Sequence, residues 1–208
     1  MIFPQVCGFC GRLDRNSLCN KCKIQIQKNT LSKIEDYKIT SSFFDEHIYL
    51  FKYSGEIRNT ILNYKFKEKS YIYNTFVELI KNNEKICAQI KKYDIIIPVP
   101  ISKNRLKRRG YNQSALIARK IAKMLNICYE ENVLVKIKDN KPQSELGQLE
   151  RSNNVIGAYE IKNKKQIYQK SILIVDDIFT TGSTVNECSK ILIKNSAKSV
   201  GVFTIAKD

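Results

Sequence analysis

The sequence has no tryptophan, one histidine and four prolines among 208 residues, and its 20 acids are outnumbered by 36 lysines and arginines. Each scarcity narrows what the chain can do. The lone His47 lies in the apolar stretch HIYLFKY and reads as a packed residue, which leaves no Ser/His/Asp or Cys/His catalytic set. No apolar run approaches the roughly 18 residues of a membrane span, and the opening MIFPQV lacks the regions of a secretory signal. A soluble, cytoplasmic protein with no membrane insertion is therefore expected, and in that compartment seven cysteines are not a disulfide framework. The length suits one full α/β domain with a small appendage, and a hydrophobic share of 43% is ordinary for a globular chain. The shortage of acids leaves a formal net charge of +16, which favours polyanions such as nucleic acid in a salt-dependent way. A lysine-rich coding bias, with Lys spread over many segments, would give the same charge.

The stretch ILIVDDIFTTGST, from Ile172 to Thr184, carries the most chemistry. Ile172 to Val175 have the pattern of a strand buried on both faces, ending at Asp176 and Asp177. The carboxyl edge of an open parallel sheet is where ligands bind. Thr180, Thr181, Gly182, Ser183 and Thr184 then form a hydroxyl-rich turn, and Val185, Cys188 and Leu192 follow at helical spacing. Thr184 and Glu187 match the S/T-x-x-E capping box, which places the helix start at Thr184. Such a start offers unpaired NH groups to an anion, and the hydroxyls add donors. Two adjacent carboxylates without a cation partner repel each other and suit a task outside the fold, such as accepting hydrogen bonds from vicinal sugar hydroxyls. The plainer alternative is a buried strand followed by a loop that only caps a helix.

Four cysteines, Cys7, Cys10, Cys19 and Cys22, are spaced C-x2-C-x8-C-x2-C near the start. Two tight pairs can converge tetrahedrally on structural zinc, and an all-cysteine set leaves no open coordination position. Removing the metal should unfold this segment and spare the main domain. The expected organisation is a four-cysteine zinc ribbon over residues 1–30 and an α/β domain over 31–208.

Residues 31–42 read as a polar linker or short helix, and His47 to Tyr53 as a strand. Between two helix faces (Ile57, Ile61, Leu62, Tyr64, then Phe76, Leu79, Ile80), basic and aromatic residues interleave from Tyr64 to Tyr73. Single-stranded nucleic acid binders use that mixture, and so does a helix with core aromatics and a solvated lysine face. A second buried strand, Asp94 to Pro100, leads into a positive loop of Arg105, Lys107, Arg108, Arg109 and Gly110. Asn112 or Ser114 then caps a helix. The loop would face the crevice as an anion site. Residues 130–170 look less regular, and within them KPQSELGQLERSNNVIGAYEI, with Pro142, Gly147, Gly157 and few core residues, reads as a flap whose Arg151 would reach a phosphate. Ser199 to Ala206 is a last buried strand, and the alternation of strands and helices points to a parallel sheet flanked by crossover helices.

ILIVDDIFTTGST resembles the 5-phosphoribosyl 1-diphosphate (PRPP) signature of type I phosphoribosyltransferases. The four-cysteine knuckle, FKYSGEIRNTILNYKFK, PVPISKNRLKRRGYNQSALIA, KPQSELGQLERSNNVIGAY and ILIVDDIFTTGST, in that order, resemble the ComF family of competence proteins, nearest the ComFC type, over nearly the whole chain. The resemblance implies a type I phosphoribosyltransferase-like sheet behind a zinc ribbon, and a role in DNA uptake during natural transformation. By it Asp176 and Asp177 would hold the ribose hydroxyls and Thr180 to Thr184 the 5-phosphate. Arg108, Arg109 and Mg2+ would attend the pyrophosphate. Relatives that release ammonia from glutamine use an amino-terminal cysteine, and this chain begins Met1, Ile2, so glutamine-dependent amination is not expected. Three readings follow: a PRPP-binding DNA-uptake protein that contacts single-stranded DNA, a transferase with an unidentified acceptor, or a zinc-ribbon adaptor docking uptake-machinery proteins beside a vestigial pocket.

Overall fold

The computed structural model describes residues 5–38, 42–138 and 155–208. A short antiparallel hairpin, β1 (Gln5–Val6) with β2 (Leu13–Asp14), is followed by α1 (Asn20–Gln27). Then come β3 (Thr30–Asp36), β4 (Glu46–Lys52), and helices α2 (Gly55–Phe66), α3 (Ile72–Lys81) and α4 (Glu84–Ile90). The strand β5 (Ile95–Pro98) leads to α5 (Lys103–Arg109), α6 (Gln113–Leu125) and β6 (Cys128–Tyr129). A small antiparallel pair, β7 (Leu134–Lys136) and β8 (Tyr159–Ile161), precedes β9 (Ser171–Phe179), α7 (Ser183–Lys194) and β10 (Ser199–Lys207).

Six strands form one sheet in the order β3-β4-β10-β9-β5-β6. All neighbours are parallel except β3, which runs antiparallel to β4 at the edge. The apolar run of β9 follows from cover on both sides. Leu173 and Val175 join a core with Ile61, Tyr64, Phe76, Ile117 and Phe203, contributed by α2, α3, α6 and β10. Ile172 and Ile174 join a second core with Val185 and Leu192 of α7 and Leu134 and Tyr159 of the β7/β8 pair. Alternate residues of one strand thus serve opposite faces, as the pleat requires. This is the α/β sheet with flanking helices expected from the sequence.

Several expectations are corrected. Residues 30–36 form the edge strand β3, where the sequence suggested a linker or short helix. An edge strand needs few apolar residues, and here Ile34 packs on the core while Glu35 reaches Tyr49 and Lys207. The basic loop after β5 is mostly the helix α5, capped by Ser102 at one end and closed by left-handed Gly110 (φ 79°) at the other. The expected flap is richer in core at its end than the sequence suggested, since Val155, Ala158, Tyr159 and Ile161 are all buried. The middle of the expected flap, with Arg151, lies outside the described residues. Among the described residues no helix is long and apolar enough to cross a membrane.

Candidate functional site

The strand β9 does not stop at the acids but continues through Phe179. Asp176 is half-buried and Asp177 is 4% exposed. The absence of a cation partner inferred from the sequence does not hold. Lys65 Nζ of α2 lies 2.9 Å from Asp177 Oδ1, and Gln113 Nε2 of α6 donates to Asp177 Oδ2 at 3.1 Å. Asp176 Oδ1 accepts from Ser114 Oγ at 2.9 Å and from the Asp177 backbone NH at 2.9 Å. Burial, then the charge of Asp177, push the Asp176 carboxyl up to about 7, with Lys65 and these hydrogen bonds pulling the other way.

The hydroxyl turn follows directly. Gly182, left-handed at φ 73°, is the N-cap residue of α7, so the helix begins at Ser183 and not at Thr184. The capping box does not form, because Glu187 accepts from Gly157 N and pairs with Lys190 instead. Thr181 Oγ1 and Ser183 Oγ lie 2.8 Å apart, and Asp176 with Thr180 to Thr184 surrounds a small cavity at the head of the helix. A side chain at Gly182 would put its Cβ 2.5 Å from the Phe179 ring, so the close turn requires glycine here.

Opposite the acids stands α5. Its Arg105, Arg108 and Arg109 line the same cleft, as spacing of i, i+3, i+4 on one helix face allows. Arg109 lies 5.2 Å above the exposed Phe66 ring, and burial lowers its pKa from the ordinary arginine value while the Asp177 charge raises it. The cleft encloses about 390 Å3, and its lining includes six cations, Arg58, Lys65, Arg105, Arg108, Arg109 and Lys136, against three acids, Asp176, Asp177 and Asp208.

The sequence reading placed Asp176, Asp177, the turn, Arg108 and Arg109, and all of these border this cleft or the cavity beside it. It missed Arg58, Lys65, Gln113, Ser114, Lys136 and Tyr159, which are brought in by tertiary packing. The interleaved aromatics from Tyr64 to Tyr73 are mostly structural: Tyr64 is fully buried, Tyr71 and Tyr73 pack on the core, and only Phe66 is open. His47 is a packed residue as expected, held neutral by burial that lowers its pKa to about 3, with Nε2 2.8 Å from Thr204 Oγ1.

Apart from the cleft, the sulfurs of Cys7, Cys10, Cys19 and Cys22 all lie within 4.8 Å of one another, Cys10 and Cys19 at 3.7 Å. Tetrahedral zinc with Zn–S bonds of about 2.3 Å has sulfurs about 3.8 Å apart, so the set fits such an ion. Burial opposes the Cys7 thiolate, yet backbone NH groups of Cys10, Cys19 and Phe9 hold its pKa down to about 7. Burial and the neighbouring thiols push Cys22 upward, the conflict that a bound cation relieves. The knuckle rests on α3: Gly8 N donates to Thr75 Oγ1 at 3.0 Å, the Thr75 hydroxyl donates to Ser17 O, and Phe9 meets Phe76 edge-on at 6.5 Å.

Residues 111–208, which carry α6, β9, the hydroxyl turn and β10, match the phosphoribosyl transferase domain family. Competence protein F of Haemophilus influenzae is 28% identical over 93% of this chain and 91% of its own length. The chain is thus similar to ComFC-type, phosphoribosyltransferase-like proteins. Competence protein ComFC of Bacillus subtilis is 25% identical over 99% of this chain and 79% of that protein. The DNA utilization protein YhgH of Escherichia coli K12 is 24% identical over 97% and 90%. Among solved structures, the adenine phosphoribosyltransferase of Thermoanaerobacter pseudethanolicus is 14% identical with a TM-score of 0.41, over 68% of this chain and 83% of that one. The domain match covers both acids and the turn, whereas the four cysteines lie ahead of it.

Proposed function

We propose that the cleft binds PRPP, and that the protein works in DNA uptake with single-stranded DNA as a partner at its basic rim. The observation that carries the reading is the convergence of an acid pair, a hydroxyl turn at a helix start and six cations on one cavity of about 390 Å3. Vicinal ribose hydroxyls match the acceptors at Asp176 and Asp177, and the 5-phosphate matches the NH groups and hydroxyls from Thr180 to Thr184. The diphosphate matches Arg105, Arg108 and Arg109. Magnesium bound with the ligand would offset part of the diphosphate charge. Arranged in this way, the cleft would stabilise opposite charges developing on a ribose and on departing pyrophosphate, should an acceptor be supplied.

The place in DNA uptake rests on relatives named competence and DNA utilization proteins. Contact with DNA is supported by the net charge of +16 and by exposed Phe66 beside Arg109 at the rim of the cleft. The four thiolates are assigned to a structural zinc ion, because all four ligands are protein sulfur. Calorimetric titration with PRPP, with and without magnesium, tests the reading. Saturable binding that is lost in Asp177→Asn is the expected result. No heat at millimolar PRPP from the folded, metal-loaded protein overturns it.

A further inference from the structure

We propose that Lys65 is a positioning residue of this cleft: paired with Asp177 across from Gln113, it lets both acids face a sugar as carboxylates and so sets the pH range of ligand binding. The inference rests on the PRPP reading above and adds a residue from outside the signature stretch. The two oxygens of Asp177 have separate donors, Lys65 Nζ at 2.9 Å on Oδ1 and Gln113 Nε2 at 3.1 Å on Oδ2. An ionised carboxylate has about four lone-pair sites, so two remain for hydroxyls once these are made. A proton on the same carboxyl would take one of those two remaining sites and turn it into a donor, so two vicinal hydroxyls could not both give to it. With the Asp177 side chain only 6% exposed, removing the ammonium would leave two adjacent acids in a poorly solvated place with no direct ion pair among the described residues.

The position of Lys65 is built into the fold. Its neighbour Tyr64 is fully buried, and the Tyr64 hydroxyl donates to Gln113 O at 2.8 Å, which registers α2 against α6. Lys65 and Gln113 are thereby fixed on either side of one carboxylate. Other polar or charged groups facing the pair are Tyr64 of α2, Arg109 of α5, Ser114 of α6, Cys188 of α7 and Tyr159 of β8, with Arg58, Arg105, Arg108, Lys136 and Asp208 lining the same cleft. Lys65 is the cation in direct ion pair with Asp177 among the described residues, while the Arg109 guanidinium stacks over Phe66. The charge of Lys65 already counters the upward push that burial and Asp177 exert on the Asp176 carboxyl. Without Lys65 the pair should hold a proton to higher pH, so affinity for the sugar should be lost first at the acid end.

The test is calorimetric titration of wild type, Lys65→Met and Lys65→Arg with PRPP, and separately with inorganic pyrophosphate, at several pH values, after thermal melts show each variant folded. Lys65→Met should bind PRPP several-fold more weakly near pH 6.5, up to about tenfold, and recover to within about threefold near pH 8.5, as follows if the acid pair keeps its proton to about one pH unit higher. Pyrophosphate, which has no ribose, should bind within about twofold of wild type, and Lys65→Arg should restore the PRPP profile. If wild type binds PRPP and Lys65→Met keeps the same pH profile, the inference is wrong while the cleft reading stands. Equal losses for PRPP and pyrophosphate also overturn it, since Lys65 would then be one more cation of an anion site. Failure of wild type to bind PRPP removes both.

Discussion

The four-thiol knuckle and the cleft each crowd like groups together. Burial and neighbouring thiols push Cys22 up, just as burial and Asp177 push Asp176 up. In the knuckle all four sulfurs lie within 4.8 Å of one another, so a cation from outside would relieve the conflict, and the four sulfurs would fill a tetrahedral coordination. In the cleft the relieving cation is a residue of the chain, Lys65, and it occupies one side of Asp177 only. On the proposed reading the knuckle is closed chemistry that serves structure, while the cleft, with acceptors facing its cavity, would take up and release a ligand.

Metal removal should give the largest effect and the clearest break between the two regions. Chelation should cost the knuckle on the order of 10 kcal/mol, the scale of isolated zinc-finger peptides. Hydrogen exchange read by segment should show protection collapsing over residues 5–27. The sheet should not escape entirely, contrary to the expectation from sequence, because Gly8, Phe9 and Ser17 would leave Thr75 and Phe76 of α3. Its melting point should fall by several degrees, about 4–8 °C for each 1 kcal/mol in a small domain and about half that at this size. Should PRPP affinity vanish together with the knuckle's protection, the two regions are one cooperative unit and the distinction between them fails.

A matched pair of substitutions comes next. Gly182→Ala must adopt φ near 73° and place a Cβ 2.5 Å from the Phe179 ring, for a combined cost of roughly 2–4 kcal/mol. At Gly8 the constraint is space alone: a Cβ would lie 2.5 Å from Thr75 Oγ1, and turning Thr75 away loses the bonds to Gly8 N and Ser17 O, for roughly 1–3 kcal/mol. Urea unfolding measures both costs. Titrations should then separate the sites, with Gly182→Ala weakening PRPP binding and sparing the metal, and Gly8→Ala doing the reverse. Equal damage to both ligands by either variant would count against two separable sites.

The signature stretch was legible because it is local. The strand, the acids and the turn are consecutive, and a closed set of four cysteines announces itself by spacing alone. What escaped was set by distance along the chain. Lys65 reads as one lysine among many, since its partner Asp177 is 112 residues away, and Gln113 and Ser114 look like ordinary first-turn residues until α6 is laid against β9. The basic run hid a helix because Arg105, Arg108 and Arg109 were counted as a charge cluster when their i, i+3, i+4 spacing already described one face. The capping box at Thr184 and Glu187 failed for a similar reason: a tertiary partner, Gly157 N, competes for the glutamate, and the turn's left-handed glycine starts the helix one residue earlier.

The smallest effect should come from Tyr64→Phe, and it bears on the line that joins the two regions. Phe9 of the knuckle meets Phe76 of α3, Phe76 meets Tyr64 at 5.9 Å, and the Tyr64 hydroxyl reaches Gln113 O at 2.8 Å. Deleting that hydroxyl leaves the ring packing in place and strands one buried carbonyl, a loss of about 1 kcal/mol. Because the bond registers α2 against α6, Lys65 and Gln113 should hold Asp177 less firmly, and PRPP affinity should fall by about threefold, which is close to 0.7 kcal/mol. Metal affinity, measured by competition with a chelating dye, should not change, since the ring contact between Phe9 and Phe76 survives. A parallel loss of metal affinity would mean that the aromatic line transmits strain in both directions, and the closed site would then be part of how the open one is tuned.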